Sequence, residues 1–331
     1  MTNTRRVRQA DHAGRALRGT PIFSIAERSM APRGASSPTP QTLPSYGGQA
    51  VIEGVMMRGR RAYAIAVRAP DGRIRVRTGE LAAIYRSRLA RVPFLRGIIG
   101  LWDALVLGIQ ALTWSANVQA EGVGEEPLEG PALYLSLGTS LALAVGLFFW
   151  LPALAGQGLE QTLGWSPFMS NLAEGLVRLV LLVGYIGLIG LMPDVQRLYG
   201  YHGAEHKTIH AFEHAAPLTV EGVRPFPEEH PRCGTAFLLI LVLLSVIVFA
   251  LLGPMSLGMR LLTRLALLPV LTGLAYEYLR FTAAHRQHPV VRVLLAPNLA
   301  LQKLTTRPPT DDMLEVAIAA FQALRQAESE A

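Results

Sequence analysis

The stretch CGTAFLLILVLLSVIVFALLGPMSLGM, residues 233–259, contains no Asp, Glu, Lys or Arg. A helix needs about 20 apolar residues to cross the hydrocarbon core of a bilayer, so this run predicts a spanning helix at about 235–254. Working outward, residues 130–159 are also uncharged and predict a span at about 133–152. Residues 172–193 predict another, with Arg178 near one end. A fourth, at 262–281, carries Arg264, Pro269, Glu277 and Arg280.

Composition agrees with this reading. Of 331 residues 50% are hydrophobic and only 17% charged, with a mean hydropathy of +0.31, whereas soluble domains carry about 25% charge. A chain disordered along its whole length and a collagen-like fibre are excluded. The single cysteine, Cys233, excludes a secreted disulfide scaffold and points to a reducing face. A net charge of +7 raises nucleic acid as a partner, but the basic residues are scattered without aromatic interleaving. They read as loop charge at a membrane surface, and no nucleic-acid partner is expected.

Loop charge also predicts orientation. Eighteen Arg precede residue 131, residues 153–171 hold no Lys or Arg, residues 194–234 hold four, and Arg286, Arg292, Lys303 and Arg307 follow the fourth span. Four spans with both termini cytoplasmic satisfy this pattern. Arg260 and Arg264, in or beside an outer turn, are the exceptions.

The remaining segments divide by texture. Residues 1–45, rich in Arg, Ser, Pro and Ala, predict a disordered basic arm. Residues 46–90 predict a small soluble β element. In it, 47–59 reads as a short apolar strand between glycines, and 63–68 and 73–77 alternate around Pro70-Asp71-Gly72 as a hairpin. Met56 and Met57 read as packing. From Phe94 to Ser115, Leu95, Ile98, Trp102, Leu105, Ile109 and Leu112 form an apolar stripe at helical spacing, opposite Gly100, Ala104, Gly108, Ala111 and Ser115. A spanning helix here would break the parity of the termini, so an interfacial or re-entrant placement is expected. The membrane helical domain then covers 91–283, with a cytoplasmic His-rich segment at 194–234. The tail, 284–331, ends in a soluble helix capped by Thr310, with Leu314, Ala317, Ile318, Phe321 and Leu324 as its buried stripe. The fold class is mainly α: a polytopic helical membrane protein of about four spans plus one interfacial or re-entrant helix, with a small N-terminal β element.

Five of the eight histidines fall within residues 202–230. On a helix at ~100° per residue, His202, Glu213, His206 and His210 lie within about 80° of one another. His202 and His206, one turn apart, can share one ion. With Glu205 they make His-x-x-Glu-His, an inverted zincin pattern in which the carboxylate is the general base. A His stripe of this kind is otherwise only a polar helix face. His230 and Cys233, three apart on a turn before the third span, are further zinc or iron ligands. Cys233 reads equally as a small buried hydrophobe. Glu277 is either another ligand or a partner for Arg280, because ionisable groups at membrane depth take a partner or face a cavity. Glu53 is a weaker candidate that reads first as a partner for Arg58 or Arg60. Asp103 and Asp194 could orient histidine ligands from outside.

Several strings taken together resemble a known family: GGQAVIEGVMMRG (47–59), RGIIGLWDAL (96–105), YGYHGAEHKTIHAFE (199–213), HPRCGTAFLL (230–239), YEYLRF (276–281) and APNLALQKLTTRPPTDDMLEVAI (296–318). The chain is similar to the YqhQ-like family of bacterial membrane proteins over about residues 46–325. That family is of unknown function and is described as predicted metal-dependent enzymes. The resemblance implies a multi-pass protein of the bacterial cytoplasmic membrane, with His202, Glu205, His206, His230 and Cys233 at motif positions. The expectation is then a zinc-dependent hydrolase facing the cytoplasm. A divalent metal is its cofactor, and its partners are the bilayer and a peptide or lipid-linked substrate. A non-catalytic scaffold with a structural metal site is the alternative. A transporter or haem-binding bundle fits less well, since the histidines do not sit across facing spans.

Overall fold

The computed structural model describes residues 46–89, 92–127 and 130–330. The basic arm expected at 1–45 lies outside the described residues. The β element is a four-stranded antiparallel meander, β1 (Gly47–Val51), β2 (Gly54–Arg58), β3 (Ala62–Arg68) and β4 (Ile74–Glu80), in spatial order β1-β2-β3-β4. The segment 47–59, expected as one strand, folds back on itself instead. Glu53 takes a left-handed φ of 52° ahead of Gly54, so Val51 pairs with Gly54. The expected hairpin at Pro70-Asp71-Gly72 is present, with Gly72 at φ 82°.

Both faces of this sheet are covered. Strand residues alternate with period two, placing Val55, Met57, Ala62, Ala64 and Ala66 on one side and Met56, Ile65 and Val67 on the other. The first, alanine-rich face packs against α5 (Pro193–Glu213) and α10 (Asp311–Glu330). The expected stripe Leu314, Ala317, Ile318, Phe321 and Leu324 of α10 is buried there. The second face packs against Leu107, Ala111 and Val118 of α1 (Leu95–Val123). The sheet, the His helix and the C-terminal helix therefore share one core, although they are far apart in sequence.

The other helices are α2 (Gly130–Val145), continued through a π-helical turn (Gly146–Trp150) into α3 (Leu151–Leu163), then α4 (Pro167–Ile189), the short α6 (Val220–Val223), α7 (Gly234–Ala250), α8 (Leu257–Ala284) and α9 (Pro289–Thr305). Among the described residues, four helices are long and apolar enough to cross a membrane: α1, α2 with α3 as one 34-residue helix, α4 and α8. This differs from the expected set of four, which has α7 in place of α1. Helix α7 has 17 residues, rising about 26 Å, a little under the ~30 Å hydrocarbon core.

Packing distinguishes α1 from the other three. The Gln49 amide donates to the Ala104 carbonyl (3.0 Å), Gln119 donates to the Arg68 carbonyl (3.0 Å), Arg75 pairs with Glu121 (2.9 Å) and Arg58 with Asp103. Contact with the sheet thus runs from Ala104 to Glu121, about 26 Å of helix. A spanning α1 would carry these charged groups of the sheet into the bilayer. The small side of α1 admits the sheet, since a Cβ at Gly108 would meet the Gln49 side chain. The opposite stripe, Leu95, Ile98, Trp102, Leu105, Ile109 and Leu112, is exposed, Trp102 by 65%. With the other tryptophans replaced, Trp102 in lipid nanodiscs should be quenched by brominated lipid and shielded from aqueous iodide. The reverse result would remove α1 from the membrane surface.

Arg260 and Arg264, the exceptions to the charge pattern, are accounted for inside the bundle. Both are 1% exposed. Glu174 of α4, itself fully buried, accepts from Arg264 Nη2 (3.0 Å) and Nε (3.1 Å) and from Arg178 (2.9 Å). Arg260 pairs with Glu160 of α3 (2.6 Å), Arg264 donates to Asn171 (2.7 Å), and the Phe249 ring of α7 lies under the Arg264 guanidinium at 4.6 Å. Removing one member of a buried ion-pair group leaves its partners charged and unpaired, at a cost of about 3–5 kcal/mol. Glu174→Ala should therefore lower thermal stability in detergent by that order. Unchanged melting would show that the cluster does not hold α3, α4 and α8 together.

Candidate metal centre

Helix α5 begins at Pro193, whose ring suits the first helical turn, with Asp194 at its positive end. It stops at His214, followed by Ala215 at φ 53°. Between these ends it buries Glu205, His206, Lys207, Thr208 and His210. Buried polar groups need partners, and two segments distant in sequence supply them. The loop after α5 folds back along the helix. The Lys207 ammonium donates to the Arg224 carbonyl (3.1 Å) and the Phe226 carbonyl and pairs with Glu228 (3.0 Å). The end of α9 closes the other side.

These backbone carbonyls set the histidine tautomers, because a carbonyl only accepts. His202 Nδ1–H donates to Thr305 O (2.8 Å), and His206 Nδ1–H donates to Glu228 O. Each ring therefore turns an Nε2 lone pair inward. Holding one ring nitrogen by a carbonyl while the other stays free is the arrangement of metal-ligating histidines. The Cys233 thiol lies 3.2 Å from His202 Nε2, and His206 Nε2 is buried with no partner. Ligand atoms of His202, His206 and Cys233 all lie within 4.8 Å of one another. Burial holds the His206 pKa below its usual value, so the ring is neutral and able to ligate. The donor set, two imidazoles and a thiol, suits zinc.

His230 and His210 adjoin this triad, with ring centroids 5.7 Å apart for His206–His230 and 4.6 Å for His210–His230. Gln302 of α9 fixes the His230 backbone on both sides, accepting from its N–H (2.8 Å) and donating to its carbonyl (3.0 Å). Burial lowers the pKa of both rings. Burial also works to raise the Glu213 carboxyl, but His230 and the Arg232 guanidinium outweigh it and hold the group at about 2.

The family model for proteins of unknown function designated DUF1385 matches residues 92–327, a span that includes every residue of this cluster. A relative, the uncharacterized protein YqhQ of Bacillus subtilis (strain 168), is 35% identical over 309 residues, covering 86% of this chain and 94% of that protein. The chain belongs to this family. No solved structure matches it. The family model begins after the sheet, so Glu53 falls outside it whereas His202, Glu205, His206, His210, Glu213, His230, Cys233 and Glu277 fall within.

The remaining candidates have other surroundings. Glu205 faces the sheet, where a Cβ at Gly48 would stand 3.0 Å from its carboxylate. Its Oε2 is buried without a partner, and burial pushes its pKa up to about 7. Glu277 is not brought to the cluster and does not pair with Arg280. Arg96 of α1 donates to it (2.6 Å), pinning α1 to α8. Glu53 accepts from Arg197 (2.6 Å) and from the Tyr201 hydroxyl (3.2 Å), not from Arg58 or Arg60, and so ties the β1–β2 turn to α5. Asp103 pairs with Arg58, and Met56 and Met57 are packing residues. Lys207, Gln302 and Thr305 escaped the sequence reading. The one signal for them is a polar pair, Gln302-Lys303, inside an apolar tail segment. Gln302→Leu removes both partners of the His230 backbone, and each unpaired buried group costs about 1–3 kcal/mol. Its melting temperature should fall well below that of Lys303→Leu on the exposed side of α9, and equal values would remove Gln302 from the site's support.

Proposed function

We propose that the protein is a membrane-embedded, metal-dependent hydrolase of the bacterial cytoplasmic membrane, with its site at the cytoplasmic end of the bundle. One observation carries this reading: ligand atoms of His202, His206 and Cys233 lie within 4.8 Å of one another, both rings being oriented by backbone carbonyls. Three protein ligands are the number that catalytic zinc sites use, leaving one position open. A zinc ion held by these three residues would supply Lewis acidity and lower the pKa of water.

Glu205 is the proton acceptor in this reading. Its Oε2 has no other partner, and it immediately precedes His206. The orientation follows from the uncharged α3–α4 and α7–α8 turns at the far end of the bundle, against the Arg-rich segments beside the sheet. A peptide or lipid-linked substrate would reach the site along the mouth of α7, where Cys233 caps the helix.

That same cap supports a second reading. An ion shared by α5 and the start of α7 would staple the sheet-bearing unit to the bundle as a structural clip. Chelation separates the two, since a clip unfolds on losing its metal and a catalytic centre does not.

Elemental analysis of detergent-purified protein should find zinc held at this triad and lost in His206→Ala. Glu205→Gln should keep the metal and lose the cellular phenotype of the wild-type gene. Metal-free wild type would sink the proposal, and a fully active Glu205→Gln would remove Glu205 as the base.

A further inference from the structure

We infer that a second divalent cation binds beside the first, held by His210, Glu213 and His230, so that the cluster is a two-ion centre. The inference deepens the metal-centre reading but uses a separate set of ligands. Their donor atoms also lie within 4.8 Å of one another.

His210 and Glu213 each have one side occupied and an acceptor atom turned inward, whereas His230 turns Nε2 inward with the ring proton on it. His210 Nε2–H donates to the Glu229 carbonyl (2.9 Å), which leaves Nδ1 as the lone-pair nitrogen, and that atom is buried without a partner. Glu213 gives Oε1 to Arg232 and keeps Oε2 inward. His230 Nε2 stands 3.6 Å from that oxygen, too far for a hydrogen bond, and it too is buried and unpaired. The His230 side chain is 3% exposed, and His210 is 8% exposed. Folded proteins rarely leave such atoms unsatisfied except where an ion or water completes them. Here two ring nitrogens and one carboxylate oxygen converge, the other oxygen of that carboxylate being paired with Arg232.

One existing contact changes when an ion binds. The Arg232 N–H donates to His230 Nδ1 (3.2 Å), so the ring carries its proton on Nε2. A cation at Nε2 moves that proton to Nδ1 and releases the Arg232 N–H, which belongs to an exposed residue and can turn to water. The Arg232–Glu213 pair persists and orients the ligating carboxylate from outside. Two imidazoles and a carboxylate suit zinc, iron(II) or manganese(II). This differs from the thiol-containing triad, so the two positions are chemically distinguishable.

The difference sets the experiment. The full-length protein in detergent, stripped with chelator and reloaded with zinc or cobalt(II), should bind two ions per chain. Cobalt at the first triad produces a thiolate-to-metal charge-transfer band, whereas cobalt at the second does not. Glu213→Gln and, independently, His210→Gln should each bind one ion and keep the thiolate band. Cys233→Ser should bind one ion and lose it. A wild type that binds a single ion, unaffected by Glu213→Gln and His210→Gln, overturns the second site and leaves the first intact. Loss of both ions and of the band in both variants, with the fold preserved by circular dichroism, also overturns it, because His210 and Glu213 would then belong to one shared site. No ion in the wild type overturns both readings.

Discussion

Helix α5 is a polar helix in a buried position, and the rest of the structure is arranged around that constraint. His202, Glu205, His206, Lys207, Thr208 and His210 enter the core on nine consecutive residues of chain, where each unpaired group would cost a few kcal/mol. The sheet, the 215–233 loop and the end of α9 meet at this helix and satisfy it with backbone carbonyls and with Gln302. Few polar atoms stay unpaired after this, and those of His206, His210 and His230 lie in adjoining rings. The same carbonyls that satisfy the histidines also decide which nitrogens face inward.

The two ends of the bundle handle buried polarity differently. At the end near α5 the histidines escape the cost of burial by staying neutral. At the far end guanidinium groups cannot lose their charge, so Arg178, Arg260 and Arg264 converge on Glu174 and Glu160, and Arg178 and Arg264 lie over the Phe249 ring. Neutral imidazole can still bind an ion, whereas a mutually paired cluster has its hydrogen-bonding capacity committed to holding helices together. That contrast is why the functional reading attaches to the first end.

Several features were legible in the residues themselves. The uncharged run 130–159 marked the long α2–α3 helix, whereas the run 233–259 gave α7, a 17-residue helix outside the set of four. Helical spacing put His202, His206, His210 and Glu213 on one side of α5, and these residues fall in two adjoining clusters. Glu205 has no ligand partner in either triad. At five residues' remove from His210 it turns toward Gly48, and nothing in the local pattern names the element that covers that side. Glu277 was open between two partners and took a third, Arg96, which is brought near only by the crossing of α1 and α8.

From the sequence alone came the membrane class, the helices, the hairpin and the set of metal-competent residues, since these depend on local composition and on periods of two and 3.6 residues. Only the tertiary structure decided that α1 lies along a sheet, that 47–59 doubles back, that intramembrane arginines share Glu174, and that the histidines form two triads. Each of these depends on segments tens to hundreds of residues apart, and on which face of one element the next one covers. Periodicity carries no record of that choice.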